Sequence, residues 1–277
     1  MKIAVIGAGT MGAGIAQVFA SAGHDVLLCD IRAELTQRGR SMIEKSLRRQ
    51  VEKGKLATEA ADAALARVTP GISSDAADCA LILEAAAERM DIKRAIFTEL
   101  DKLCPPGTVF ASNTSSLSLT EMGLGLSRPV VGMHFFNPAP VMSLVEVISG
   151  LTTPEDLADR VFALARSLGK EPVRVREAPG FVVNRILIPM INEAVFVLSE
   201  GVADAESIDQ AMKLGANHPL GPLALADLIG LDVVLSICEV LQRETGDDKY
   251  RPCPLLRQMV RAGRLGRKSG AGFYSYS

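Results

Sequence analysis

An α/β domain built on a doubly wound parallel sheet, carrying a helical hairpin and followed by an all-α domain, is the architecture this sequence predicts. Three observations carry that expectation. The chain opens with a short apolar run that leads directly into Gly7-Ala8-Gly9-Thr10-Met11-Gly12 and a helical pattern. Strand and helix signals then alternate as far as residue 178. At Ala178-Pro179-Gly180 the composition changes, and only helical patterns follow. The expected domains are therefore 1–178 and 179–277.

Lys2-Ile3-Ala4-Val5-Ile6 is apolar and β-branched and reads as a buried strand. Ala13 to Ala20 has helical spacing of apolar residues, Gly23 ends that helix, and Val26-Leu27-Leu28-Cys29-Asp30 is a second strand tipped by an acid. In such a unit Gly7 allows the tight turn, Gly9 lets backbone approach a pyrophosphate, and Gly12 lets the helix lie close on the strand. The helix start, with Thr10 and Met11, offers N–H groups and a partial positive charge to phosphates. Asp30, 18 residues past Gly12, is placed to accept hydrogen bonds from ribose hydroxyls. Strand, turn, helix, strand and acid in register make a Rossmann-type dinucleotide site, with NAD expected over NADP.

Ala33 to Lys53 is a long charged helix with Leu35, Met42, Ile43, Leu47 and Val51 as its apolar stripe. Gly54 interrupts it, and Thr58 to Arg67 forms a second, shorter helix, so the pair makes a hairpin standing off the sheet. Its far end carries Arg48, Arg49, Lys53 and Lys55. A solvated face and a landing site for a phosphate-bearing substrate both fit that cluster.

Further strands are expected around Val68 and at Leu81–Leu83, Thr108–Ala111, Pro129–Gly132, Leu144–Ile148 and Pro172–Arg176. Asp91 to Leu103 is an amphipathic helix, and another opens at Thr153-Pro154-Glu155 and closes at Gly169. Beyond residue 180 the helices are Val182–Glu200, Asp204–Leu214, Leu231–Glu244 and Leu255–Ala262, with Asp204 and Ser207 as plausible N-caps. The first of these is apolar on nearly every side, which calls for cover from its own domain or from a second subunit.

Composition narrows the function classes. Hydrophobic residues at 48% and charged residues at 22% are ordinary for a globular enzyme. A net charge of −2 favours neither nucleic acid nor an anionic membrane as partner. The chain enters its first strand at Lys2, so no signal peptide is expected, and the apolar stretch 181–199 is broken by Asn184, Arg185, Pro189, Asn192 and Glu193. The five cysteines lack metal spacing and suit a reducing cytoplasm, and no metal site is expected.

In an open parallel sheet the ligand lies beyond the carboxyl ends of the strands. Two polar clusters fall there, Ser112-Asn113-Thr114-Ser115-Ser116 and His134-Phe135-Phe136-Asn137-Pro138. Removing hydride from an alcohol needs a base for the hydroxyl proton, and imidazole suits that near neutrality. His134 is a core histidine or that base. Glu146, 12 residues on, is a surface strand acid or the partner that fixes the imidazole tautomer. Asn113, Ser115 and Ser116 are turn-formers or holders of a substrate oxygen. Asn184, an amide at the start of an apolar helix, fits either a helix-start contact or a functional one.

These residues resemble the L-3-hydroxyacyl-CoA dehydrogenase family, and most of all its short bacterial 3-hydroxybutyryl-CoA members. The likeness rests on Gly7 to Gly12, on Glu84-Ala85-Ala86-Ala87-Glu88-Arg89-Met90, on Ser112 to Leu117 and on Gly132 to Met142. It continues through Glu177 to Arg185, Gly215 to Pro222 and Leu265 to Tyr274, and so covers the whole chain. The resemblance implies interconversion of (S)-3-hydroxyacyl-CoA and 3-oxoacyl-CoA with NAD(H), His134 acting as base and Glu146 orienting it. By the same resemblance Ser115 and Asn184 hold the substrate's 3-oxygen and acyl region. Asp30, Glu88, Lys93, Ser115, Asn137 and Lys268 contact NAD, and Ser46 and Lys53 contact CoA, which favours the functional reading of the basic hairpin. It also implies a homodimer through the all-α domain. A non-catalytic nucleotide-binding relative would be expected to lose His134 or Glu146, and a dehydrogenase of another hydroxy acid to lack the basic hairpin together with the His134–Glu146 pair.

Overall fold

The computed structural model describes residues 1–276. Ser277, the last residue of the expected second domain, lies outside them. The chain divides into two compact units, Met1–Glu177 and the segment from Ala178 onward.

The first unit is an eight-stranded sheet in the order β3-β2-β1-β4-β5-β6-β7-β8. Its strands are β1 (Lys2–Ile6), β2 (Asp25–Cys29), β3 (Val68–Gly71), β4 (Leu81–Glu84), β5 (Val109–Ser112), β6 (Val130–Phe135), β7 (Leu144–Ser149) and β8 (Glu171–Arg176). Strands β1 to β6 pair in parallel. Both faces of such strands are covered, so they read as continuous apolar runs, and Ile3, Val5, Leu28, Leu83 and Phe110 are fully buried.

The sheet is not wholly parallel. β7 runs antiparallel to β6, with His134 opposite Glu146, and β8 then pairs in parallel with β7. β6 also continues to Phe135 rather than stopping at Gly132, so His134 lies on a strand and not in a loop beyond one. β5 ends opposite Gly132, and the last residues of β6 find their partners on β7 instead.

The helices of this unit are α1 (Thr10–Ser21), α2 (Ala33–Glu52), α3 (Thr58–Ala66), α4 (Met90–Leu103), α5 (Leu119–Met122) and α6 (Glu155–Ser167). α2 and α3 form the hairpin, burying Ile43, Leu47, Ala61 and Ala64.

The second unit comprises α7 (Val183–Ser199), α8 (Ala205–Gly215), α9 (Pro222–Ile229), α10 (Leu231–Thr245) and α11 (Pro254–Arg261). α9 is not among the helices expected from the sequence. It is eight residues long, begins at a proline, and its first N–H groups are satisfied by a distant acid: Asp209 accepts from the amides of Leu223 at 2.8 Å and Ala224 at 2.9 Å. Asp204 caps α8 by accepting from the Ser207 amide at 2.8 Å, so Ser207 is the capped residue rather than a cap. Asp227, 1% exposed, gathers the tail by accepting from the amides of Phe273 and Tyr274 and from the Tyr276 hydroxyl, each at 3.0 Å. Among the described residues, no helix is long and apolar enough to cross a membrane.

Candidate active site

The turn after β1 has the shape a diphosphate requires. Gly7 sits at φ +106°, a conformation L side chains rarely adopt, and a Cβ there would lie 2.6 Å from the Ala85 carbonyl oxygen. A Cβ on Gly12 would stand 1.7 Å from the Gly7 carbonyl oxygen, so no larger residue allows α1 to approach the turn so closely. A Cβ on Gly9 would meet nothing within 4 Å, which leaves open space above the backbone. Thr10 and Met11 begin α1, whose N-cap Gly9 supplies no side-chain acceptor, so first-turn N–H groups remain for a ligand's oxygens.

Asp30, half-buried at the tip of β2, is tied into that turn. Its Oδ2 accepts from the Ala8 amide at 2.7 Å and its Oδ1 from the Ile31 amide at 2.8 Å. Each carboxylate oxygen retains a lone pair that a ribose hydroxyl can use. The residues of this unit thus fit an adenine dinucleotide.

Beyond β4 and β5 lies a buried ionic cluster. Glu84, the last residue of β4, is fully buried and takes both its oxygens to Lys93 Nζ, at 2.7 and 2.8 Å. Lys93 is itself 1% exposed and reaches Glu88 Oε2 at 3.2 Å. It was expected as a cofactor contact, yet its ammonium is engaged by these two carboxylates. Glu88 Oε1 accepts from Thr114 Oγ1 at 2.6 Å, the Ser115 amide at 2.7 Å, Ser115 Oγ at 3.0 Å and the Ser116 amide at 3.2 Å. Burial raises the Glu84 carboxyl above its ordinary value, against the pull of Lys93. At Glu88 burial acts in the same direction but is outweighed, and Lys93 with the Thr114 and Ser115 donors holds that carboxyl below the usual range. Sequence reasoning assigned Glu84 no role. The signal open to it was an acid ending an apolar strand, with a lysine nine residues on.

On the adjoining strand pair, His134 Nδ1 lies 2.8 Å from Glu146 Oε2. Both residues are buried, at 5% and 1% exposure. Residues directly opposite on antiparallel strands share a face, so the ladder itself brings imidazole and carboxylate together. Asn113 Oδ1 accepts from the Phe135 amide at 2.8 Å, linking the end of β5 to the residue after the histidine. This oxygen therefore serves the fold. Asn137 is exposed on the following turn. Lys170 secures that turn by donating to the carbonyls of Ala139 and Met142, both at 2.7 Å.

Ser46 and Lys53 fall near the far end of α2, seven residues apart and so on one face, with Lys53 exposed. Of the four cations clustered there, Arg48 is paired with Asp62 of α3 at 2.8 Å. Asn184 and Lys268 belong to the second unit. Asn184 is buried in the first turn of α7, and Lys268 Nζ donates to Asp232 Oδ2 at 2.6 Å.

A dinucleotide-binding sheet with a buried histidine–carboxylate pair on its facing β6 and β7 strands defines a nicotinamide-dinucleotide-dependent oxidoreductase. Residues 2–178 match the 3-hydroxyacyl-CoA dehydrogenase NAD-binding domain, and residues 180–276 match the C-terminal domain of the same enzymes. The chain belongs to the 3-hydroxyacyl-CoA dehydrogenase family. It is 55% identical over 280 residues to a 3-hydroxybutyryl-CoA dehydrogenase of Clostridioides difficile, covering 100% of both chains. It is 53% identical to a probable 3-hydroxybutyryl-CoA dehydrogenase of Bacillus subtilis, covering 99% of this chain and 97% of the other. The crystal structure of (S)-3-hydroxybutyryl-CoA dehydrogenase from Ralstonia eutropha superposes with a TM-score of 0.94 at 49% identity, covering 100% of this chain and 99% of that one.

Proposed function

We propose that this protein interconverts (S)-3-hydroxybutyryl-CoA and acetoacetyl-CoA with NAD(H), His134 serving as general base in oxidation and general acid in reduction. The observation that carries the reading is the buried 2.8 Å contact between His134 Nδ1 and Glu146. With Nδ1 as a donor to the carboxylate, Nε2 is the nitrogen that takes the proton in this reading. As hydride departs from C3 of the substrate, the 3-hydroxyl proton passes to Nε2, and the Glu146 carboxylate stabilises the imidazolium that forms. In reduction the same proton returns to the oxygen at C3. The nicotinamide ring, when bound, accepts or supplies the hydride.

Ser115 and Asn184 hold the oxygen at C3 and the acyl region. Gly7, Gly9, Thr10, Met11 and Gly12 hold the diphosphate, Asp30 the adenosine ribose, and Glu88, Lys93, Ser115, Asn137 and Lys268 the nicotinamide half. Lys93 acts there from beneath, through Glu88. Ser46 and Lys53 bind the CoA phosphates and ribose. The exposed side chains Ile186, Val202 and Leu214, at 68, 70 and 77%, support a homodimer formed through the second domain, residues 179–277. All five cysteines are unpaired and buried, which supports a reducing cytoplasmic setting.

NADH oxidation with acetoacetyl-CoA, compared with free acetoacetate, tests the reading. Turnover of the thioester with little or none of the free acid is expected, and equal turnover of both would refute a CoA-dependent enzyme.

A further inference from the structure

We infer that Glu84, the buried carboxylate at the end of β4, is a positioning residue that sets the place of Ser115. The inference rests on the proposed role of Ser115 at the substrate's 3-oxygen and names what fixes that hydroxyl.

Two routes run from Glu84 to the 114–116 loop. In the first, Glu84 holds the Lys93 ammonium with both oxygens, Lys93 reaches Glu88 Oε2 at 3.2 Å, and Glu88 Oε1 receives the amide and hydroxyl of Ser115. Glu88 is thereby divided, with one oxygen for the cation and one for the loop. In the second, Ser112 Oγ donates to Glu84 Oε2 at 2.6 Å and accepts from the Thr114 amide at 3.2 Å. Both routes converge on the residues that flank or include Ser115. The strand ladder ties the same point to the sheet, since the Asn113 amide donates to the Glu84 carbonyl at 2.8 Å.

Charge explains why a carboxylate is needed. Buried cations are strongly unfavourable without a counter-charge, and Lys93 is 1% exposed. With Glu84 ionised, Lys93 is satisfied beneath the loop, and Glu88 Oε1 remains with the serine donors. With a neutral amide at position 84, Glu88 is, among the described residues, the carboxylate still paired with Lys93. The ammonium then draws Glu88 away from the loop, and Ser115 loses the acceptor that holds its backbone and hydroxyl. Displacements of about 1 Å at a reacting group can cost about 100-fold in rate.

A double-mutant cycle tests this. Glu84→Gln should lower kcat for acetoacetyl-CoA about 10- to 100-fold, with a much smaller change in KM. In a Ser115→Ala background the same substitution should cost less than about threefold, because the group it positions is gone. Glu84→Asp, which keeps the charge, should recover most of the lost kcat. Equal cost in both backgrounds, or Glu84→Gln within about twofold of wild type, would overturn the inference. Hydrogen exchange gives a readout that needs no turnover. Amides 114–117 should exchange faster in Glu84→Gln while β6 keeps its protection, and unchanged exchange at 114–117 would also overturn the inference. Should Glu84→Gln fail to fold, Ser112→Ala cuts the second route alone and is read by the same cycle and the same exchange measurement. A wild-type protein inactive on acetoacetyl-CoA would refute the functional reading, while exchange would still decide the role of Glu84.

Discussion

His134 and Glu146 are direct cross-strand neighbours on β6 and β7, the antiparallel pair at which the sheet reverses direction. Their side chains meet at 2.8 Å with almost no solvent contact. The pair is thus held by main-chain register on both sides.

Replacing the base should remove chemistry and spare binding. His134→Gln is expected to lower turnover by about 10²- to 10⁴-fold, the usual worth of general base catalysis. NADH affinity, measured by fluorescence titration, should stay close to wild type, because the dinucleotide turn lies at β1 and β2. A loss of less than tenfold in turnover would remove His134 from the role of base.

Cofactor choice should follow Asp30. A 2′-phosphate would meet a carboxylate already held in place by the Ala8 and Ile31 amides, a like-charge contact with no room to turn away. Preference for NADH over NADPH is expected at tenfold or more in kcat/KM, about 1.4 kcal/mol. Asp30→Ser should narrow that gap, since the like charge is removed and Arg32, an exposed cation two residues on at the start of α2, can then pair with a 2′-phosphate. It should also weaken NADH binding, because the Ala8 amide loses its acceptor. Wild-type preference for NADPH would overturn the assignment.

The basic end of the α2–α3 hairpin should serve the CoA portion. Lys53→Ala is expected to raise KM for acetoacetyl-CoA several-fold and to leave KM for NADH unchanged, with the difference shrinking as salt is added. Arg48, already paired with Asp62, should matter less. An unchanged KM in Lys53→Ala would make this end of the hairpin an ordinary solvated surface.

Association is the fourth expectation. Ile186 on α7 and Leu214 on α8 are large apolar side chains exposed at 68 and 77%, and a dimer is expected by sedimentation at micromolar concentration. Ile186→Glu should shift that equilibrium toward monomer. A wild type that sediments as a monomer would exclude the proposed assembly.

Local signals made much of this legible. The run from Lys2 to Asp30 is readable because strand, tight turn and helix are adjacent in sequence, and each glycine meets a nearby steric demand. What could not be read depended on distant partners. The β6 strand extends past Gly132 because β7 supplies its ladder, a pairing that nothing local announces. α9 was missed because Asp209, more than ten residues upstream, steadies its first turn. Glu84 stood just past the expected strand Leu81–Leu83, and its partners Lys93 and Ser112 come from other elements that the fold brings around it. Lys93, by contrast, was expected at the cofactor only through resemblance, and its ion pairs with Glu84 and Glu88 are again made by the fold's packing.

A histidine on a ladder also limits how this protein can be altered. Side chains on a strand alternate between faces, so one residue added within 130–135 would turn the imidazole to the opposite side of the sheet. The same insertion in the turn at 136–143 could be absorbed as a wider bend, leaving the ladder untouched. Changes of length are therefore tolerable in the turn and ruinous on the two facing strands. Engineering for new acyl groups should begin in the turns and helices, and leave the two facing strands as they are.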